Sequence, residues 1–147
     1  MSNDMDAFFP FHPRLVHFPI GLTLVGVGVV AAGVLWRRPQ WIACGRFSLL
    51  LGWIGAAVAA LAGLLDQSRA PATEIVTRTI NQHITAGIAL LVALGLALYW
   101  PLRDKKLLFG TRRRWAYLGL LLLAAVLTLI AAGLGGQLVY GLGVGVR

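Results

Sequence analysis

Residues 115–136 read WAYLGLLLLAAVLTLIAAGLGG, a run without a charged side chain. Its length matches the roughly 20 residues that cross the hydrocarbon core of a bilayer. Because a chain in hydrocarbon must satisfy its own backbone hydrogen bonds, we predict that the run is a helix. Three further apolar runs precede it, at about residues 15–36, 41–65 and 83–100. The sequence therefore predicts an all-α integral membrane protein, with one four-helix transmembrane bundle as a single domain over residues 1–147.

Composition supports the same class of protein. The chain is 59% hydrophobic and only 12% charged, which leaves too little polar surface to cover a soluble core. Four of the five tryptophans stand at one predicted end of the spans, where indole rings favour the interface between hydrocarbon and headgroups. These are Trp36, Trp41, Trp100 and Trp115.

The positive charges indicate the topology. Nine of the thirteen basic residues stand on or beside the first and third connections between spans. They are Arg37, Arg38, Arg46, Arg103, Lys105, Lys106, Arg112, Arg113 and Arg114. Because basic loops stay in the cytoplasm, we expect a multi-pass protein of the bacterial inner membrane with both termini on the periplasmic side. The net charge of +8 is then explained by topology and anionic-lipid contacts, and nucleic-acid binding is not expected.

The two predicted hairpins are joined by a polar segment at about residues 66–82, which we expect to be a loop or a short interfacial helix. The hairpins resemble each other. His17 begins the first span and His83 begins the third, and a glycine follows each histidine four residues later, at Gly21 and Gly87. One interpretation is a pair of pseudo-repeated hairpins related by an axis along the membrane normal. The other is chance similarity between apolar segments.

The histidines suggest a cofactor. The first and third spans run in the same direction, so His17 and His83 are expected at similar depth near the periplasmic face. Two imidazoles at one depth can ligate a b-type haem between them. Gly21 and Gly87 share a helix face with these histidines and would clear space for the porphyrin edge. Covalent haem attachment is excluded, because the chain has a single cysteine, Cys44, and no C-x-x-C-H stretch.

Other residues extend this haem hypothesis. Arg14 stands on the same predicted side and could pair with a haem propionate, as could Arg69 and Arg78. Tyr140 or Gln137 could donate a hydrogen bond to a propionate or orient an axial imidazole.

Two alternatives remain open. The histidines could only make hydrogen bonds, in a structural or assembly subunit without a cofactor. Alternatively His12, His17 and His83, with Asp66 or Glu74, could supply the nitrogen and oxygen ligands that zinc, copper or iron accept. Nothing indicates hydrolytic or nucleotide chemistry, since the chain has neither a Walker loop nor a G-x-S-x-G motif. An electron-transfer or accessory subunit is therefore favoured over a stand-alone enzyme.

Both ends of the chain resemble a known family. The stretch HPRLVHFPI at residues 12–20 is similar to the opening signature of an uncharacterised bacterial membrane-protein family, a domain of unknown function also called "predicted membrane protein". The stretch GGQLVYGLGVGV at residues 135–146 resembles the closing motif of that family, and His83 fits as the histidine that opens the third span. The resemblance implies a four-helix membrane domain whose relatives occur near or fused to redox and c-type cytochrome proteins.

Taken together, these patterns favour a membrane b-type cytochrome that binds haem b through His17 and His83. We expect it to transfer electrons near the periplasmic face. Because the chain has little mass outside the bilayer, we also expect it to form an oligomer, or to work with a periplasmic cytochrome or a membrane redox complex.

Overall fold

The computed structural model describes residues 16–67, 73–104, 108 and 111–144, and this part of the chain is almost entirely helical. Helix α1 is His17–Leu35, α2 is Pro39–Gln67, α3 is Glu74–Arg103 and α4 is Thr111–Gly136. A π-helical turn, Gln137–Gly141, extends α4. All four helices are long and apolar enough to cross a membrane, which confirms the predicted helical transmembrane bundle.

Helix α3 is longer than its predicted span. The polar residues before His83 were expected to form a loop or a short interfacial helix, but those from Glu74 onward are the first turns of α3 itself. They are helical because Val76 and Thr79 recur at a spacing of three residues and are both buried. A helix of 30 residues is about 45 Å long, so α3 extends beyond a typical hydrocarbon core.

The helices pack in a ring in which each contacts its neighbours in sequence, and α4 closes the ring against α1. This order places α1 diagonally opposite α3, and α2 diagonally opposite α4. We call the end of the bundle where α1 and α3 begin the histidine end. The opposite end, which carries the α1–α2 and α3–α4 connections, we call the basic end.

Helices α1 and α2 approach each other through glycines. A Cβ atom at Gly45 would lie 2.7 Å from the backbone nitrogen of Val30, and one at Gly33 would lie 2.8 Å from a backbone nitrogen of α2. Gly26 and Gly52 make similarly close approaches. Such small residues let helix backbones come together in lipid, where the hydrophobic effect does not drive association. The α1–α2 connection is correspondingly tight, and Arg37 adopts a positive φ of 55° within it.

Pro101 determines how α3 is held by its two adjacent neighbours in the ring, α2 and α4. Proline has no N–H group, so the carbonyl of Ala97, four residues earlier, lacks its usual intrahelical donor. The hydroxyl of Tyr117 on α4 donates to this carbonyl at 3.1 Å, and Tyr117 is fully buried. Arg46 on α2 donates from Nη2 to the next carbonyl, that of Leu98, at 3.1 Å. Side chains from α2 and α4 therefore satisfy the weakened part of α3.

Two further hydrogen bonds join α2 to its neighbours in the ring. Trp53 donates from Nε1 to the carbonyl of Leu91 in α3 at 2.9 Å. Ser48 donates from Oγ to the carbonyl of Leu22 in α1 at 2.8 Å. Both donors lie in apolar surroundings, where a polar group without a partner is unfavourable.

The apolar core is confined to the half of the bundle nearer the basic end. Its buried residues come from all four helices and from the α3–α4 connection. They are Val30, Val34, Ile42, Leu49, Leu90, Ala93, Leu94, Ala97, Leu108, Tyr117, Leu121 and Ala124. In the half nearer the histidine end, the buried side chains are mostly small or polar, among them Thr23, Ala59, Thr79, Ala86 and Thr128.

The outer surface of the bundle is apolar. Large side chains on different helices are more than half exposed, for example Leu61 at 65%, Val92 at 57% and Leu122 at 65%. A soluble protein would bury such residues, whereas hydrocarbon solvates them. Three tryptophans are exposed at the basic end, where interfacial indoles were predicted: Trp36, Trp41 and Trp115. The rings of Trp36 and Trp41 pack edge to face, with their centroids 5.6 Å apart.

Candidate functional site

His83 lies in the half of the bundle nearer the histidine end, about two and a half turns after the start of α3 at Glu74, and is part-buried. Its Nδ1 atom is 3.0 Å from the carbonyl oxygen of Ala131 in α4. A carbonyl oxygen only accepts, so Nδ1 must carry the proton of this hydrogen bond. In the neutral ring the lone pair then resides on Nε2. Histidines that bind a metal through Nε2 commonly donate Nδ1–H to a carbonyl in this way.

A glycine of α4 accommodates the His83 ring. A Cβ atom at Gly135 would lie 3.2 Å from Cε1 of His83, closer than an ordinary van der Waals contact. Ala131 and Gly135 are four residues apart and therefore share one face of α4. The ring therefore hydrogen-bonds to this face at Ala131 and packs closely against it at Gly135, where a side chain would not fit without a shift.

His17 is the first residue of α1, and its side chain is exposed. Because α1 and α3 are diagonal neighbours, His17 and His83 come from opposite corners of the histidine end. The described contacts bring His83 against α4, whereas His17 lies at the surface.

Open space adjoins the two glycines that the sequence pairs with the predicted ligands. A Cβ atom added at Gly21 or at Gly87 would meet no other atom within 4 Å, apart from the immediate backbone of its own helix. Gly21 is exposed and Gly87 is half-buried. The same holds for Gly28 and Gly119 elsewhere in the bundle, so the predicted clearance beside each histidine stays a prediction.

The other predicted site residues are less informative. His12 and Arg14 lie outside the described residues, as do Arg69 and the side chain of Asp66. Tyr140 stands on the π-helical turn and is 85% exposed. Within the described ranges, no three or more side chains of histidine, cysteine, aspartate or glutamate come together as a metal site. The metal hypothesis therefore requires His12 or the side chain of Asp66, both outside the described part of the chain, in addition to His17 and His83.

A groove between α3 and α4, not predicted from the sequence, adjoins this end of the bundle. Its volume is about 1040 Å³ and it is open to the surroundings. The wall on α3 carries hydrogen-bonding side chains, and the wall on α4 is apolar. The lining includes Thr77, Arg78, Asn81, Gln82 and Thr85 on α3, and Leu127, Ile130 and Leu134 on α4.

The sequence signal for this groove was present but ambiguous. Polar residues at Arg78, Gln82 and Thr85 recur on one face of the long third helix. The prediction left residues 66–82 as a loop or a short interfacial helix separate from the third span, so Arg78 and Gln82 had no established common face with Thr85. The groove became recognisable only because α3 begins at Glu74.

Comparison with known proteins complements this geometry. No protein of curated function and no solved structure matches the chain. A match over residues 8–147 does identify one family, and it covers both terminal motifs and all four helices. The chain belongs to the membrane-protein family described as Predicted membrane protein (DUF2231).

Proposed function

We propose that this membrane protein binds one b-type haem at the histidine end, with His17 and His83 as axial ligands, and transfers electrons there. The observation that carries the proposal is the setting of His83. Its Nδ1 hydrogen-bonds to the carbonyl of Ala131 in α4, in the half of the bundle outside the main apolar core cluster. A haem bound there would supply one-electron redox chemistry.

The residues present fit such a group in three respects. Nδ1 of His83 donates to a carbonyl, which orients the ring and favours Nε2 as a metal ligand. Open space adjoins Gly21 and Gly87 on the two helices concerned. Most buried residues in this half of the bundle are small or polar, with Val76 and Leu138 as the larger apolar ones. His17 is exposed, so the proposal requires its ring to turn toward the bundle axis.

The proposal includes a location. The basic residues on the two connections support a bacterial inner-membrane protein with the basic end in the cytoplasm and both termini in the periplasm. The haem would then lie near the periplasmic face. A periplasmic cytochrome or a membrane redox complex is the partner that this position favours.

The leading alternative is a structural or assembly subunit without a cofactor. The exposure of His17 favours it, because an interfacial histidine in contact with water needs no ligand. The hydrogen bond from His83 to Ala131 also favours it, because this bond can simply tie α3 to α4. Both hypotheses predict the same fold, so they differ in cofactor content alone.

Spectroscopy of the purified protein separates the two. We expect a preparation from haem-sufficient cells to be red, with a Soret band and a sharp α-band after reduction. His17→Ala and His83→Ala should each abolish the low-spin spectrum, whereas His12→Ala, outside the axial pair, should retain it. Each variant should keep the helical circular dichroism of the parent.

Other outcomes would replace the proposal. A colourless preparation without metal would support the structural subunit. A colourless preparation with stoichiometric zinc, copper or iron, lost in His12→Ala as well, would support a three-histidine metal site.

A further inference from the structure

The groove between α3 and α4 changes its chemistry along its length. Its wall on α3 starts with charged side chains, Glu74 and Arg78, and continues with side-chain amides, Asn81 and Gln82. It ends with small apolar side chains, of which Ala89 is the last. These residues recur every three or four positions, so they follow one face of the helix. The groove therefore passes from charged to polar to apolar groups with distance from the start of α3.

The length of α3 places these groups at different levels of the membrane. Trp100 marks the predicted boundary at the basic end, and about 20 residues of helix cross the hydrocarbon. Counting back from Trp100, the other boundary falls near Asn81. Glu74 and Arg78 then lie at the level of the headgroups, whereas Ala89 lies within the hydrocarbon. The apolar wall on α4 faces the groove on the hydrocarbon side of this boundary.

The charged end of the groove presents both signs. Glu74 and Arg78 are four residues apart, about 6 Å along the helix axis, and both side chains are exposed. In the described part of the chain, no ion pair joins the two. The groove therefore offers an acceptor for a cation and a donor for an anion at neighbouring positions. A purely anionic headgroup would match Arg78 but would be repelled by Glu74.

We infer that this groove binds phosphatidylethanolamine, a phospholipid whose headgroup carries an anion and a primary amine. The phosphate accepts hydrogen bonds from the guanidinium of Arg78, and the ammonium donates to the carboxylate of Glu74. The amides of Asn81 and Gln82 lie about one turn deeper, at the level of the ester carbonyls, to which they donate. An acyl chain then lies along the apolar wall of α4.

The order of groups in the groove carries this inference. Amine, phosphate, esters and acyl chain follow one another in the lipid as carboxylate, guanidinium, amides and apolar side chains do in the protein. The inference does not rest on the proposed haem. It also does not depend on which side of the membrane the histidine end faces.

Native mass spectrometry of the full chain in a neutral detergent tests the inference. The probes are phosphatidylethanolamine and phosphatidylglycerol, which share the phosphate, esters and acyl chains, but only the first carries an amine. We expect phosphatidylethanolamine to bind about fivefold more tightly, near the upper end of what one exposed ion pair contributes. Glu74→Gln should remove this preference. Arg78→Gln should weaken the binding of both lipids, whereas Arg112→Gln, at an exposed position of the basic end, should leave the affinity for phosphatidylethanolamine unchanged.

A second pair of variants locates the lipid. Ile130→Trp puts a bulky ring into the apolar wall of the groove and should lower the affinity for phosphatidylethanolamine. Leu129→Trp is the control, because Leu129 does not line the groove. Both positions are on the surface of α4, at 46% and 59% exposure, so both variants should keep the helical circular dichroism of the parent.

Three outcomes would overturn the inference. The first is equal affinity of the parent protein for the two lipids. The second is an equal loss of affinity in Leu129→Trp or Arg112→Gln, because general contact or attraction would then suffice. The third is a lipid-free dimer that Ile130→Trp disrupts, because a second copy of the chain would then occupy the groove.

Discussion

The hydrogen bond from Tyr117 to the carbonyl of Ala97 should contribute most to the free energy of unfolding when residue 101 is proline. Tyr117→Phe removes only the hydroxyl, and the buried ring keeps its packing. The carbonyl of Ala97 then has neither Tyr117 nor an intrahelical N–H group as a donor, because residue 101 is proline. Leaving a buried acceptor unsatisfied costs about 1–3 kcal/mol, although interhelical hydrogen bonds measured in bilayers average about 0.6 kcal/mol. We therefore expect a loss of about 1–1.5 kcal/mol in the free energy of unfolding.

A double-mutant cycle isolates the cause. In Pro101→Ala, the new N–H group can donate to Ala97, so Tyr117→Phe should cost about 0.5 kcal/mol or less in that background. Unfolding is followed by far-ultraviolet circular dichroism as sodium dodecyl sulfate is titrated into dodecyl maltoside micelles. Tyr99→Phe is the control, since Tyr99 is 56% exposed and its hydroxyl should contribute little. Equal losses from Tyr117→Phe in both backgrounds would refute the assignment of Pro101 as the reason for the bond.

Three further predictions concern packing, the candidate site and topology. A Cβ atom at Gly45 would lie 2.7 Å from a backbone nitrogen of α1, so Gly45→Ala should lower the free energy of unfolding by about 1–3 kcal/mol. Gly28→Ala is the control, because a Cβ atom there would meet no atom within 4 Å. Equal effects of the two substitutions in the same titration would contradict the close approach. Gly135→Val should displace the His83 ring and reduce haem retention, measured as the ratio of Soret to protein absorbance, while Gly133→Val on the same helix should not. Alkaline phosphatase fused to the C-terminus should be active in cells, and inactive when fused in the α3–α4 connection; the reverse pattern would invert the proposed topology.

The number and class of the helices could be predicted from local composition. The run at residues 115–136 is apolar over the full thickness of a bilayer, and a chain in hydrocarbon has few alternatives to a helix. The start of α3 could not be placed in the same way. Residues 74–82 are polar, and hydropathy cannot distinguish a loop from a helix that extends into water.

The candidate site was only partly accessible from the sequence. The pairing of each histidine with a glycine four residues later pointed to Gly21 and Gly87, and open space adjoins both in the structure. The contact between His83 and Ala131 spans 48 residues along the chain, and no local pattern encodes it. The haem itself stays a prediction, because the fold is compatible with it and with a purely structural role.

The sequence by itself therefore determined how many times the chain can cross a membrane, and its charges predict which end faces the cytoplasm. Tertiary structure alone decided which faces of the helices meet, as at Gly45 against Val30, or Tyr117 against Ala97. The physical reason is the solvent. In water an apolar face must turn inward, whereas in hydrocarbon the faces toward lipid and toward neighbouring helices are both apolar, so the rotation of each helix depends on shape and on a few hydrogen bonds.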